Sequence, residues 1–209
     1  MSSVITRKGR IVQDPPLIQK LLNDPRAGLL WLPLRLWLGL QWIEPALHKL
    51  SDPKWMQTGE ALKGFWMGAV AIPQNGRPAI AFDWYRSFLQ FLLNAQAYTW
   101  FAKLVAVGEF IVGLALILGV FTGIAAFFGG FMNWNFMMAG SASTNPLLFV
   151  AAVGLILAWK VSGTVGADFF LLRWLGTPWR GVPTDATAPA PASSGMSAQP
   201  VGQLASSGK

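Results

Sequence analysis

Three apolar stretches, Tyr98–Phe121, Gly123–Met138 and Pro146–Val161, lie back to back in the second half of this chain, and a fourth, Gly28–Leu47, precedes them. Crossing a hydrocarbon core of about 30 Å takes roughly 20 mostly apolar helical residues. In lipid the backbone must satisfy its own polar groups, which leaves only helices and closed barrels as spanning structures. The runs are continuous rather than alternating, so barrel strands are excluded. The expected fold is therefore all-α, an integral membrane four-helix bundle. Eleven tryptophans and fourteen phenylalanines suit such a protein, because aromatic belts anchor spans at both interfaces.

The same patterning decides how the formal charge of +7 is used. Most of the basic residues are scattered outside the apolar runs, with no stripe alternating them with stacking aromatics, so membrane topology and not nucleic acid is their use. The chain has no cysteine, which excludes disulfides, thiolate metal sites and CxxC redox chemistry within it. Its one histidine, His48, excludes bis-histidine haem and zinc sites within a single chain. No metal ligand set and no resident cofactor are expected, and electron transfer would need an organic acceptor or a partner subunit.

Residues 1–27 form a polar segment with Arg7, Lys8, Arg10, Lys20 and Arg26 against Asp14 and Asp24, expected in the cytoplasm by the positive-inside rule. Four spans follow, at about 28–47, 98–121, 123–140 and 146–162, within a membrane domain of residues 28–172. An even number of spans returns the C-terminus to the cytoplasm. Between the first two lies a long extracytoplasmic loop, 48–97, with interfacial helices. One is the short apolar stretch Gly64–Pro73; another is an amphipathic element aligning Trp84, Phe88, Phe91 or Leu92, and Ala95. Asn75-Gly76-Arg77-Pro78 is a turn signal. Residues 173–209 turn rich in Ala, Pro, Ser, Gly and Thr, a composition that cannot bury a core and predicts a disordered tail.

Ionisable side chains at bilayer depth are costly and are functional candidates by default. Counting about 1.5 Å per residue from Thr122 places Glu109 about 20 Å up, with Asn133 and Asn135 at a similar height. Counting from Gly28, Arg35 lies about 10 Å in and Glu44 about 24 Å, with His48 one turn above on the same face and Lys103 level with Glu44. Glu109, Glu44 and His48 are the candidate catalytic groups. Arg35, Lys103, Asn133 and Asn135 are the candidate substrate- or quinone-binding groups. The cluster could hold an oxyanion through Lys103 and His48, relay protons through Glu109 and Glu44, or hydrogen-bond quinone carbonyls. Asn133 and Asn135 are two apart and point to nearly opposite sides of one helix. Structural readings stand beside these: Glu109 paired with Arg35, Arg35 snorkelling, and the asparagines as interhelical glue.

Several stretches resemble the DoxX/DoxD family of small bacterial and archaeal membrane proteins. They are Arg35-Leu36-Trp37-Leu38-Gly39 through Trp42 to His48-Lys49-Leu50; Gly108-Glu109-Phe110 to Gly119 with Thr122-Gly123; Met132-Asn133-Trp134-Asn135 to Gly140 with Asn145-Pro146; and Gly163 through Gly166-Ala167-Asp168. Together they cover about residues 28–172. The resemblance implies a four-span bundle in the cytoplasmic membrane. DoxD-type members are membrane subunits of thiosulfate:quinone oxidoreductase, which oxidises thiosulfate to tetrathionate and passes electrons to quinone. It thus implies quinone as acceptor and a second membrane or extracytoplasmic subunit as partner. The alternative is a non-catalytic scaffold or assembly subunit of a larger membrane complex. A transporter ranks last, because inverted repeats and broken helices are not visible in the sequence.

Overall fold

The computed structural model describes residues 4–5, 11–12 and 14–176. Among these the chain is helical, apart from a ribbon in which β1 (Val4–Ile5) pairs antiparallel with β2 (Ile11–Val12). A short helix α1 (Pro16–Asn23) has no buried residue. It is followed by a 3-10 turn, Pro25–Ala27, whose Arg26 N–H donates to the Asp24 side chain at 2.9 Å.

Four longer helices follow the apolar runs: α2 (Gly28–Ser51), α6 (Tyr98–Leu118), α7 (Thr122–Met138) and α8 (Asn145–Leu157). Helix α2 packs on α6, α6 on α7, α7 on α8 and α8 back on α2, a ring of four. Between α2 and α6 lie α3 (Pro53–Met56), α4 (Glu60–Val70) and α5 (Asp83–Asn94), which gather over the N-terminal part of α6. Helix α9 (Asp168–Trp174) closes the described chain. It carries helix past residue 173, where the tail was expected to begin, and residues 177–209 of that tail lie outside the described residues.

Four spans were expected; among the described helices one, α6, is by length and composition able to cross a bilayer. Helix α2 runs on to Ser51, about 36 Å, through Pro33 and Pro45, but its charged residues break the apolar run. Helices α7 and α8 stop at Met138 and Leu157, about 26 and 20 Å long, short of the expected 140 and 162. The remainder, Ala158–Gly163, is a series of turns, not helix.

Two features fit lipid surroundings. Large apolar side chains stand exposed on all four long helices, among them Leu40, Leu104, Ile111, Phe127, Phe131 and Val150. Inside, the α7–α8 contact is built from Ala125, Ala126, Ala151 and Ala152, all buried. Between helices in lipid there is little hydrophobic drive, so close backbone approach through small residues supplies the packing.

The sharpest such approach is between α2 and α6. A Cβ on Gly113 would lie 2.9 Å from the Gly39 carbonyl oxygen and 2.9 Å from the Ile43 nitrogen. The antiparallel register set there controls everything above and below it. Below, Arg35 of α2 meets Gly119 at the end of α6; above, Lys49 meets Glu109.

Candidate functional site

Lys49 lies ten residues, about 15 Å, beyond the Gly39 crossing, and Glu109 lies four residues, about 6 Å, beyond Gly113 in the same direction. Helical side chains lean toward their own N-terminus. In this antiparallel pair Lys49 therefore leans down and Glu109 leans up. They meet in a two-pronged ion pair, with Nζ 2.5 Å from Oε1 and 2.6 Å from Oε2. The carboxylate is buried, whereas the lysine is part-exposed at 19%. Its ammonium also sits 4.9 Å from the Trp55 ring centre and 5.7 Å from that of Phe136, a partial aromatic cage.

The pair lines a cavity of about 400 Å³ shared with Gln41, Trp42, Glu44, Asn133, Ser141 and Asn145. Asn133 is fully buried, and among the described residues neither its amide nitrogen nor its oxygen has a hydrogen-bond partner. The Trp42 indole N–H is also unpartnered, lodged where Gly129 of α7 lacks a side chain. A buried amide with both ends free costs on the order of 1–3 kcal/mol per unsatisfied group unless something binds there. Asn145 by contrast is satisfied, donating to the Ser141 carbonyl at 2.9 Å. Formally the lining carries one lysine against two glutamates, an excess of one negative charge.

The other sequence candidates separate from this cavity. Glu44 lines it from its exposed rim. His48 and Lys103 are exposed and do not line it, so the expected oxyanion pair is not assembled there. Asn135 turns to the opposite side of α7: its amide nitrogen donates to the Phe131 carbonyl at 2.8 Å, and its oxygen accepts from the Tyr85 hydroxyl at 3.2 Å. Burial pushes the Tyr85 hydroxyl above its ordinary pKa.

Arg35 sits at the other end of α2, about 21 Å from Lys49 along the helix. The considered Arg35–Glu109 bridge is thus replaced by Lys49–Glu109. The guanidinium is buried and donates to the carbonyls of Ser162 (3.0 Å) and Val165 (2.8 Å). It also lies against Gly119 and Gly166, where a Cβ on Gly166 would come within 2.9 Å of Nη1. Asp168 supplies the countercharge and caps α7, accepting from the Phe121 N–H at 2.5 Å and the Thr122 N–H at 2.8 Å. A carboxylate at a helix N-terminus is favoured by the helix dipole. Arg35 and Asp168 together tie the α6–α7 turn to the α8–α9 connection, a positioning role.

Lys49, which the sequence presents as an ordinary interface residue, is the partner of Glu109 that reading the sequence did not assign. Its signal was present in the two glycines: aligning Gly39 with Gly113 in antiparallel register brings Lys49 toward Glu109.

A family model described as DoxX matches residues 30–139. The match runs from the first turn of α2 to just past the end of α7 and includes Arg35, Lys49, Glu109 and Asn133. No curated protein and no solved structure matches the chain.

Proposed function

The chain belongs to the DoxX family of membrane proteins, and on that premise we propose that it spans the cytoplasmic membrane of a bacterium or archaeon four times and binds a quinone headgroup in the cavity around Glu109. In this reading α2, α6, α7 and α8 are the spans, both termini face the cytoplasm, and the 48–97 segment is extracytoplasmic, with α4 and α5 lying at the outer interface of the membrane. The observation that carries it is Asn133, a fully buried amide with both polar ends free inside a cavity that also holds a lysine. The net negative lining favours a neutral, carbonyl-bearing guest over a dianion.

Bound there, a quinone supplies a two-electron, two-proton acceptor. The chain's own part is to hold and to move protons. The Asn133 amide donates to a carbonyl oxygen, and Lys49 offers a second donor. Glu109 carries a proton between Lys49 and the headgroup, and Glu44 at the rim exchanges it with the extracytoplasmic side. Two thiosulfates yield tetrathionate and two electrons; as dianions they suit this net negative cavity poorly, so the reading assigns their oxidation to a second subunit.

The test is titration of the purified protein in nanodiscs with a tail-free benzoquinone, read by quenching of the intrinsic tryptophan fluorescence to which Trp42 and Trp55 contribute. Asn133→Leu is expected to weaken binding about tenfold, the worth of one buried hydrogen bond, without lowering the unfolding temperature. Unchanged affinity overturns the headgroup site.

A second reading, a non-catalytic scaffold or assembly subunit, is favoured by the internal use of the charges: Lys49 pairs with Glu109, Arg35 donates to the Ser162 and Val165 carbonyls, and Asp168 accepts from the Phe121 and Thr122 N–H groups. Thiosulfate-dependent reduction of a soluble quinone that vanishes in Glu109→Gln supports the redox reading. Absence of turnover with stable co-purification of a second protein supports the scaffold.

A further inference from the structure

A second cavity, of about 410 Å³, lies between α4, α5, α6 and α7. Its character differs from the first. Its back is formed by buried apolar residues such as Leu62, Trp66, Leu89 and Val105. Its front is formed by Phe88 on α5, Leu104 on α6 and Phe131 on α7, all exposed. Those three are large exposed apolar side chains, so the mouth of this cavity is apolar. The polar groups among its lining, Tyr85 and Asn135, bond to each other and to backbone, which leaves no demand for water inside.

The two cavities share Leu62, Phe65 and Phe136. They are thus neighbouring spaces, one polar and one apolar, with a common wall of three apolar side chains. A guest with a carbonyl-bearing head and an apolar chain fits this pairing. A phospholipid fits it poorly, because its phosphate would meet the negative excess contributed by Glu44 and Glu109. Resting on the headgroup reading above, we propose that this second cavity is the slot for the isoprenoid tail of the same quinone, entered sideways from the bilayer between α5, α6 and α7. The reactive head then reaches Asn133 by displacing the three shared side chains, without crossing water.

The experiment uses the full chain in nanodiscs of phosphatidylcholine and phosphatidylglycerol. One probe is a benzoquinone bearing a short isoprenoid tail with a terminal diazirine; the other is a phospholipid with the same diazirine on an acyl chain. After irradiation, labelled residues are located by tandem mass spectrometry. The isoprenoid probe is expected to label Leu92, Phe101 and Val105 at least fivefold more than Ile111 and Phe127, which face lipid away from the slot. Even labelling of both groups overturns the slot, as does equal enrichment from the acyl probe, which would make it a lipid site. The two readings fail separately. Even labelling alongside tail-free binding that depends on Asn133 removes the slot alone. Tail-free binding indifferent to Asn133→Leu removes the headgroup site, and with it the assignment of the tail.

Discussion

Removing Lys49 leaves a carboxylate buried on α6 without its cation, whereas removing Glu109 leaves a part-exposed ammonium still resting on Trp55 and Phe136. The two halves of the pair should therefore differ in cost. Breaking a buried pair by deleting one partner typically costs about 3–5 kcal/mol, because the survivor keeps its desolvation penalty. Lys49→Met is expected near that figure and Glu109→Gln clearly below it, with Lys49→Met/Glu109→Leu recovering much of the loss. Denaturant unfolding in detergent checks this, with Lys54→Leu on exposed α3 as the control that should change little. Equal costs for Lys49→Met and Lys54→Leu would show that the pair is not a buried one. Glu109, Glu44 and Asn133 were legible as polar interruptions of apolar runs. The partner of Glu109 was not, because Lys49 sits where a span ends and a lysine there reads as an interface residue.

Composition does not distinguish two kinds of helical glycine in this chain. Gly39 and Gly113 are where α2 and α6 touch backbone to backbone, while Gly64 and Gly68 of α4 have open space where a Cβ would go. Gly113→Ala must push α2 and α6 apart, and is expected to lower the unfolding temperature and loosen the Lys49–Glu109 contact. Gly64→Ala and Gly68→Ala should be neutral, or stabilising by about 0.5–1 kcal/mol, since alanine is the better helix former. Thermal unfolding of the three variants decides it; a Gly113→Ala protein as stable as the parent would refute the close crossing. Helix α5 teaches a related point. The aromatic face Trp84, Phe88 and Phe91, which the sequence presents as its organising stripe, is the exposed one, and the helix packs through Tyr85 and Leu89. Where the surroundings are lipid, the more apolar face need not turn inward.

Basic residues occur at both ends of the bundle: Lys20, Arg26 and Arg173 at one, and Lys49, Lys54, Lys63 and Lys103 at the other. The orientation is therefore best tested directly, and the absence of cysteine makes that simple. With both termini in the cytoplasm, Gln57→Cys in intact cells is expected to react with a membrane-impermeant maleimide, and Lys20→Cys only after permeabilisation. The reverse pattern would turn the polar cavity toward the cytoplasm. Orientation matters because it fixes the side of the membrane toward which the cavity lined by Glu44 and Glu109 lies.

That the chain is helical and apolar-surfaced followed from residue order alone, since a long unbroken apolar run in lipid has no other way to satisfy its backbone. The same logic singled out the few polar positions that interrupt the apolar runs. Which of those positions meet is a different matter. It depends on the register between helices some 60 residues apart in sequence, as Lys49 and Glu109 are, and that register is set by two glycines whose backbones touch. Only the packed bundle brings Lys49 to Glu109, sends Arg35 to the opposite end beside Asp168, and divides Asn133 from Asn135 between two cavities. Local periodicity says which face a side chain occupies; the distance of closest approach between helices decides what it faces.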